Sequence, residues 1–170
     1  VHLHRYLDIS KRTKDDSFTN EGANMKTILY GNGGCGNHGC EAIVRGIYEL
    51  FKRPLIISSE NIDEDRRYGL DEFCDIYDAK AGSPGKLQFV KAYMKLKIMG
   101  DHTAMDGLPY LSTIRELKDK STLALSVGGD NYCYSNQKLY AFLNKAYQDS
   151  DIKTVLWGCS IEPEIAKRND

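Results

Sequence analysis

The sequence predicts an α/β domain in which helices cover both faces of a parallel sheet. Two observations support this class. Short apolar segments of strand length alternate along the chain with longer segments whose apolar residues recur at helical spacing. Polar loops that contain glycine follow several of the apolar segments. The alternation implies strand–helix–strand units, which have right-handed crossovers and join parallel strands of one sheet.

The first strand–helix unit is the clearest. Residues 26–30 form a short apolar strand, and the glycine-rich segment 31–39 follows it directly. A helix is predicted from about residue 40 to residue 51, because its apolar residues fall on one face. Those residues are Ile43, Val44, Ile47, Leu50 and Phe51.

The remaining elements follow the same alternation. Further strands are predicted at residues 54–59, 73–79, 122–127 and 152–157. Helices are predicted at residues 86–99, at 112–118 and, after an N-cap at Ser135, through 139–147. Residues 60–67 and 100–110 are predicted to be loops. The lysines of the 86–99 helix are interpreted as a solvated face, with contact to an acidic polymer as the alternative.

Composition indicates an ordinary globular protein. The 170 residues are 41% hydrophobic and 28% charged, and the formal net charge is −1. Without a basic excess to neutralise a phosphate backbone, nucleic acid is not an expected partner. No apolar run approaches the ~20 residues of a membrane span, and no secretory signal opens the sequence. We therefore expect a cytoplasmic protein that does not span the membrane.

The five cysteines indicate free thiols rather than disulfides. Their number is odd and no CxxC pair occurs. A metal site at Cys35, His38 and Cys40 is the alternative, but this spacing does not fit a zinc knuckle and no second ligand pair follows. We therefore predict no metal.

The first 24 residues differ from the rest of the chain, since they are polar and show no sustained periodicity. We interpret residues 1–24 as a disordered leader or a non-native extension. Residues 25–170 are interpreted as the folded domain, truncated before a second domain, because the segment after Pro163 resembles the start of a continuing chain.

Three polar loops that follow predicted strands, at residues 31–39, 128–132 and 158–162, indicate where a ligand binds. The carboxyl ends of parallel strands lie at one edge of a sheet, where open α/β folds bind ligands. In the first loop, glycines let backbone amides approach a ligand and the helix dipole suits a phosphate or carboxylate. Asn37 and His38 add side-chain donors. The alternative is a tight turn in which Asn37 caps the helix.

The second loop places Asp130 just beyond a buried strand. Its carboxylate can act as an acid or base, or accept a sugar hydroxyl. Alternatively, it caps its own turn. Tyr132 can stack on a sugar or pack in the interior.

Three segments carry a resemblance to a known family. They are MKTILYGNGGCGNHGCEAIVRGI, LSVGGDNYCY and LWGCSIEPE, each of which contains a predicted strand, or its last residues, and the loop after it. Together they span residues 25–164 and resemble, in the same order, segments of the bacterial polysaccharide pyruvyl transferase family. The resemblance implies a Rossmann-like domain similar to the N-terminal half of a GT-B fold, in which two such halves face a cleft.

The resemblance also implies a function. The family transfers the enolpyruvyl unit of phosphoenolpyruvate to a sugar of a cell-surface polysaccharide. Phosphoenolpyruvate is then the donor substrate, a glycan or lipid-linked sugar is the acceptor, and no cofactor is expected. Asp130 becomes an active-site carboxylate and His38 a possible acid. The implied substrate-binding positions are Gly33, Gly36, Asn37, Gly129, Asn131, Tyr132, Ser160 and Glu162.

The resemblance places the cationic groups that hold phosphoenolpyruvate mainly in the C-terminal half, which this sequence does not include. The chain alone is therefore expected to be inactive and to self-associate through the face that the other half would cover. Two alternatives remain open. The motif GxGxxG occurs twice in residues 31–39, and Glu60 could bind a ribose hydroxyl in a nucleotide- or NAD(P)-binding enzyme. The other alternative is that the chain is a non-catalytic sugar-binding module.

Overall fold

The computed structural model describes residues 25–133 and 137–161, and its strands form one sheet in which every adjacent pair is parallel. The order across the sheet is β3-β2-β1-β4-β5. The strands are β1 (Thr27–Asn32), β2 (Leu55–Ser59), β3 (Cys74–Asp78), β4 (Leu123–Val127) and β5 (Lys153–Trp157).

Helices of the described residues lie on both faces of this sheet. On one face, Ile28 of β1 packs in a cluster with Leu143, and on the other, Leu29 packs in a cluster with Val44 and Ile47. The predicted Rossmann-like α/β fold is therefore confirmed. The helices are α1 (His38–Phe51), α2 (Ile62–Arg67), α3 (Lys86–Met99), α4 (Thr103–Gly107), α5 (Tyr110–Leu117) and α6 (Gln137–Gln148), with a 3-10 turn at Leu70–Glu72.

Two helices lie in segments that the sequence predicted to be loops. Residues 60–67 contain α2, whose N-cap Asn61 accepts a hydrogen bond from the backbone N–H of Glu64 at 3.3 Å. Residues 100–110 contain α4, where the Asp101 carboxylate accepts from the backbone N–H of Thr103 at 3.0 Å. Both loop predictions were wrong. In α2 the Asn61 cap favours a helix that has no apolar periodicity, whereas the N-cap of α4, His102, makes no side-chain cap bond.

The turn between β1 and α1 is shorter than predicted. β1 continues to Asn32, which pairs with Ser59 beyond an irregularity in the register. α1 begins at His38, with Asn37 as its N-cap. Residues 33–37 are therefore the connection itself, and this segment is called the glycine loop below.

Some sequence predictions fall outside the described residues. The leader at residues 1–24, the N-cap at Ser135 and the candidate site residue Glu162 all lie there. Within residues 25–133 and 137–161, none of the helices combines the length and apolar character needed to cross a membrane.

A polar network links β1, β4 and α6 inside the domain. The Tyr30 hydroxyl donates to the Asn144 side-chain oxygen, and the Asn144 amide nitrogen donates to the Tyr132 hydroxyl at 3.1 Å. The Tyr132 hydroxyl also lies 3.1 Å from the Ser126 hydroxyl. Burial raises the pKa of both tyrosines, so their hydroxyls stay protonated and need acceptors.

Asn144→Ala should destabilise the fold. The substitution removes a partner from two buried phenol hydroxyls, which should lower the free energy of unfolding by about 1–3 kcal/mol. Urea unfolding followed by circular dichroism measures this loss. Lys138→Ala, at an exposed position of the same helix, is the matched control and should change the free energy by less than about 0.5 kcal/mol. Equal effects of the two substitutions would contradict the assigned role of the network.

Candidate functional site

The structure brings three loops together at the carboxyl edge of the sheet. The Asn131 side-chain amide, after β4, donates to the backbone carbonyl of Gly31 at 3.1 Å. The backbone N–H of Ser160, after β5, donates to the carbonyl of Gly129 at 2.8 Å. Tyr132 and Ile161 form a parallel bridge. The loops after β1, β4 and β5 are thus held to one another by direct hydrogen bonds.

Two backbone amides, one in the glycine loop and one at the helix entry, are already bonded to side chains of this chain. The N–H of Cys35 donates to the Asp65 carboxylate at 3.0 Å, and the N–H of Gly39 donates to the Asn37 side chain at 2.9 Å. Asn37 therefore caps α1, as one of the two sequence interpretations has it. The Asn37 side chain occupies a donor that a bound anion would otherwise use.

Glu64 of α2 lies directly against the glycine loop. A methyl group added at Gly34 or Gly36 would overlap the Glu64 carboxylate. Gly34 also has a φ of +113°, which disfavours a side chain. These two glycines are therefore needed for the close approach of a carboxylate from this chain. Gly33, by contrast, is exposed, with open space where a Cβ would stand.

Three carboxylates create a negative potential at this edge. Burial raises the pKa of the Cys40 thiol, and the charges of Asp65, Asp130 and Glu64 raise it further. Asp65 is 0% exposed, and one of its carboxylate oxygens has no hydrogen-bond partner. An anionic ligand at the glycine loop would meet this potential, whereas a hydroxyl group would find acceptors.

The candidate catalytic residues Asp130 and His38 have different surroundings. Asp130 is exposed at the start of the β4 loop, and its carbonyl accepts from the backbone N–H of Cys133 at 3.0 Å. The His38 side chain is 81% exposed, with Nδ1 3.4 Å from the Glu41 carboxylate and its ring edge-on to Tyr68. His38 thus contacts α1 and the segment after α2, while Asp130 belongs to the β4 loop.

Other predicted site residues divide between surface and interior. Gly36, Gly129 and Ser160 are wholly or partly exposed at the carboxyl edge. Asn131 is half-buried, and its amide fills the space beside Gly31. Tyr132 is buried, and its ring lies 5.9 Å from that of Tyr140 in the core, which favours the packing interpretation.

The cysteine and histidine considered as metal ligands do not share an environment. Cys35 is buried beside Asp65, whereas His38 is exposed. Within the described ranges, no group of three histidine, cysteine or acidic side chains is arranged to hold a metal ion.

Glu60, the candidate ribose ligand, belongs to a cluster that sequence reasoning missed. Tyr110 donates its hydroxyl to one Glu60 oxygen at 3.0 Å, and Lys80 donates to the other at 2.9 Å. The hydrogen bond from Lys80 to Glu60 is the main cause of the raised pKa of Lys80. The Glu60 charge also raises the pKa of buried Tyr140. Both carboxylate oxygens of Glu60 are therefore already engaged.

Glu64 and Asp65 were also missed, although a local signal exists for Glu64. Asn61 precedes Glu64 by three positions, which is the spacing of an N-cap and a capping-box acid. The Asn61 amide nitrogen donates to the Glu64 carboxylate at 3.1 Å. No comparable pattern marks Asp65, whose burial follows from tertiary packing.

Comparison of the chain with protein-family models, with curated proteins and with solved structures found no match.

Gly34→Ala should destabilise the protein more than Gly33→Ala. Alanine at position 34 must adopt a positive φ and displace Glu64, which should cost about 1–3 kcal/mol. At position 33 the added methyl meets nothing. Thermal and urea unfolding of both variants measure the difference. Similar stabilities would contradict the left-handed backbone of Gly34 together with its contact with Glu64.

Cys35 should resist alkylation in the native protein. Burial, with the Asp65 carboxylate as the next cause, raises the pKa of its thiol to about 12, and only the thiolate reacts rapidly. Iodoacetamide at pH 9, followed by peptide mass mapping, should modify Cys35 in urea but not in buffer. Rapid native modification would show that the loop is open.

Proposed function

We propose that this domain is the acceptor-binding part of a pyruvyl transferase-like enzyme and that it holds a hydroxyl-rich sugar at the carboxyl edge of the sheet. The observation that carries the proposal is the chemistry of the glycine loop. The carboxylates of Glu64 and Asp65 contact the loop, and the amides of Cys35 and Gly39 are bonded to side chains of this chain. The resemblance of three segments to the pyruvyl transferase family supplies the reaction.

The charges favour a neutral ligand over phosphoenolpyruvate at this edge. The donor carries a phosphate and a carboxylate, both of which Glu64, Asp65 and Asp130 would repel. Two cations of the described residues are committed to acidic partners, since Arg45 bonds to Glu41 and Lys80 bonds to Glu60. In this proposal, cations away from the glycine loop hold the donor.

Asp130 is the residue we assign to the acceptor hydroxyl. It is exposed, it follows a buried strand, and the bonds of Asn131 and Ser160 fix its loop. In the proposed cytoplasmic reaction, its carboxylate takes the proton from a sugar hydroxyl as that oxygen bonds to C2 of the enolpyruvyl unit. The methylene carbon C3 gains a proton, and phosphate leaves from C2. A second hydroxyl of the same sugar then bonds to C2 and completes the ketal, and its proton goes to the departing phosphate.

The dinucleotide alternative is less consistent with the geometry. Lys80 and Tyr110 already engage Glu60, which would have to bind the ribose. Glu64 lies against the glycine loop, where a pyrophosphate would have to approach. Each contact places a carboxylate or a competing partner in the way of a group that the cofactor requires.

Calorimetric titration tests the proposal. Methyl glycosides of galactose, mannose and glucose should show weak binding by at least one sugar, because a hydroxyl ligand finds acceptors at this edge. Phosphoenolpyruvate and NAD should show none. Asp130→Ala should weaken sugar binding by about tenfold, the effect of losing one hydrogen bond to a charged group.

Asp119→Ala is the matched control, since Asp119 is an exposed aspartate between α5 and β4, at the opposite edge of the sheet. It should leave sugar binding unchanged. Tight binding of phosphoenolpyruvate would contradict the assignment of the donor to other residues. Binding of NAD that depends on Glu60 would favour the dinucleotide alternative instead.

A further inference from the structure

Helix α3 exposes an apolar stripe to solvent. The stripe consists of Leu87, Val90, Met94 and Ile98, whose exposed fractions lie between 50% and 73%. At 100° per residue, these four positions fall within one narrow sector of the helix. The four side chains together form an exposed apolar surface, and removing it from water would be favourable.

The stripe is not the face by which α3 packs on the domain. That inner face is a separate row, Gln88, Ala92 and Leu96, of which Ala92 is buried and the other two are half-buried. The helix is therefore apolar on two sides. The inner row already joins α3 to the fold, so packing within the domain does not account for the outer stripe.

Lysines border the stripe on both sides. Helical geometry places Lys86 and Lys97 along one side and Lys91 and Lys95 along the other, and all four are exposed. No Asp or Glu occurs in α3. The helix therefore carries four positive charges around an apolar centre, in a chain whose net charge is −1.

Two aromatic residues adjoin one of these lysine rows. Phe89 and Tyr93 are 45% and 43% exposed, and their rings stack at 6.4 Å. The Lys97 ammonium lies 5.6 Å from the centre of the Tyr93 ring. Both rings lie on the far side of that lysine row from the stripe, so they belong to the flank of the helix and not to the stripe itself.

We propose that α3 docks the domain on the surface of an anionic lipid bilayer. The stripe enters the boundary between headgroups and acyl chains, and the four lysines contact anionic headgroups. The helix has 14 residues, fewer than the ~20 that a span requires, so it lies in the plane of the surface. Vesicle binding needs no substrate, so this inference is independent of the proposed function.

Charge complementarity favours a bilayer over a second copy of the chain. If two copies paired stripe to stripe, the lysine rows of one would lie beside those of the other, and like charges would repel. The same rows are attracted to a surface of phosphate headgroups. An acidic polymer would satisfy the lysines but would leave the four apolar side chains in water.

Vesicle co-sedimentation tests the proposal with the full chain. It should bind vesicles of mixed phosphatidylcholine and phosphatidylglycerol, and not vesicles of phosphatidylcholine alone. The combined variant V90Q, M94Q and I98Q should bind at least tenfold more weakly, because the buried apolar area is lost. Leu50→Gln, on α1 and 70% exposed, is the matched control and should bind normally. Circular dichroism verifies the fold of each variant.

A second pair of variants isolates the charges. Lys91→Gln with Lys97→Gln should weaken binding roughly 10- to 30-fold, while Lys52→Gln with Arg53→Gln, two exposed positions just after α1, should have little effect. Failure of the chain to bind anionic vesicles would overturn the proposal. Unchanged binding by the triple glutamine variant would also overturn it, since only an electrostatic contact would remain. If sedimentation shows that the unmodified chain is a dimer and that the triple glutamine variant is a monomer, the stripe binds a second copy of the chain instead.

Discussion

The position of β1 is the constraint on which the rest of the structure depends. Both faces of this strand are covered and both of its edges are paired, with Ile28 and Leu29 completely buried. The chain places β2 and β3 on one side of β1 and then returns to place β4 and β5 on the other. The loops after β1 and β4 consequently end side by side, as they do where strand order reverses in open α/β sheets. The bond from Asn131 to Gly31 crosses that junction.

Glycine at this junction serves a different purpose from the one usually inferred from a glycine-rich loop. Such loops often let backbone amides approach a phosphate. Here Gly34 and Gly36 make room for the Glu64 carboxylate, and Asp65 accepts from the loop backbone. The same residue type in the same position of the fold is therefore compatible with opposite ligand charges. The carboxylates of the neighbouring helix α2 decide which ligand charge such a loop favours.

The sequence predicts the sheet and most helices because apolar runs and apolar faces are properties of short segments. It does not predict α2, whose residues IDEDRR have no apolar face and are held by the Asn61 cap. Nor does it predict that Asp65 is buried, since that depends on the packing of α2 on the glycine loop. In α3, apolar residues on two sides of the helix weaken the periodicity. The sequence therefore predicts only that the lysines form a solvated face. Tertiary structure is needed to tell which row faces the domain.

Charge is separated in this protein although its net value is close to zero. The carboxyl edge of the sheet carries Glu64, Asp65 and Asp130, while α3 carries lysines without an acid. β3 ends at that same edge, and residues 79–85 connect it to the start of α3. Under the function and the lipid contact proposed above, a sugar on an anionic lipid carrier would have its phosphate attracted to the lysines and repelled by the carboxylates. The hydroxyl groups of the sugar would then be the part of the acceptor that reaches the carboxyl edge.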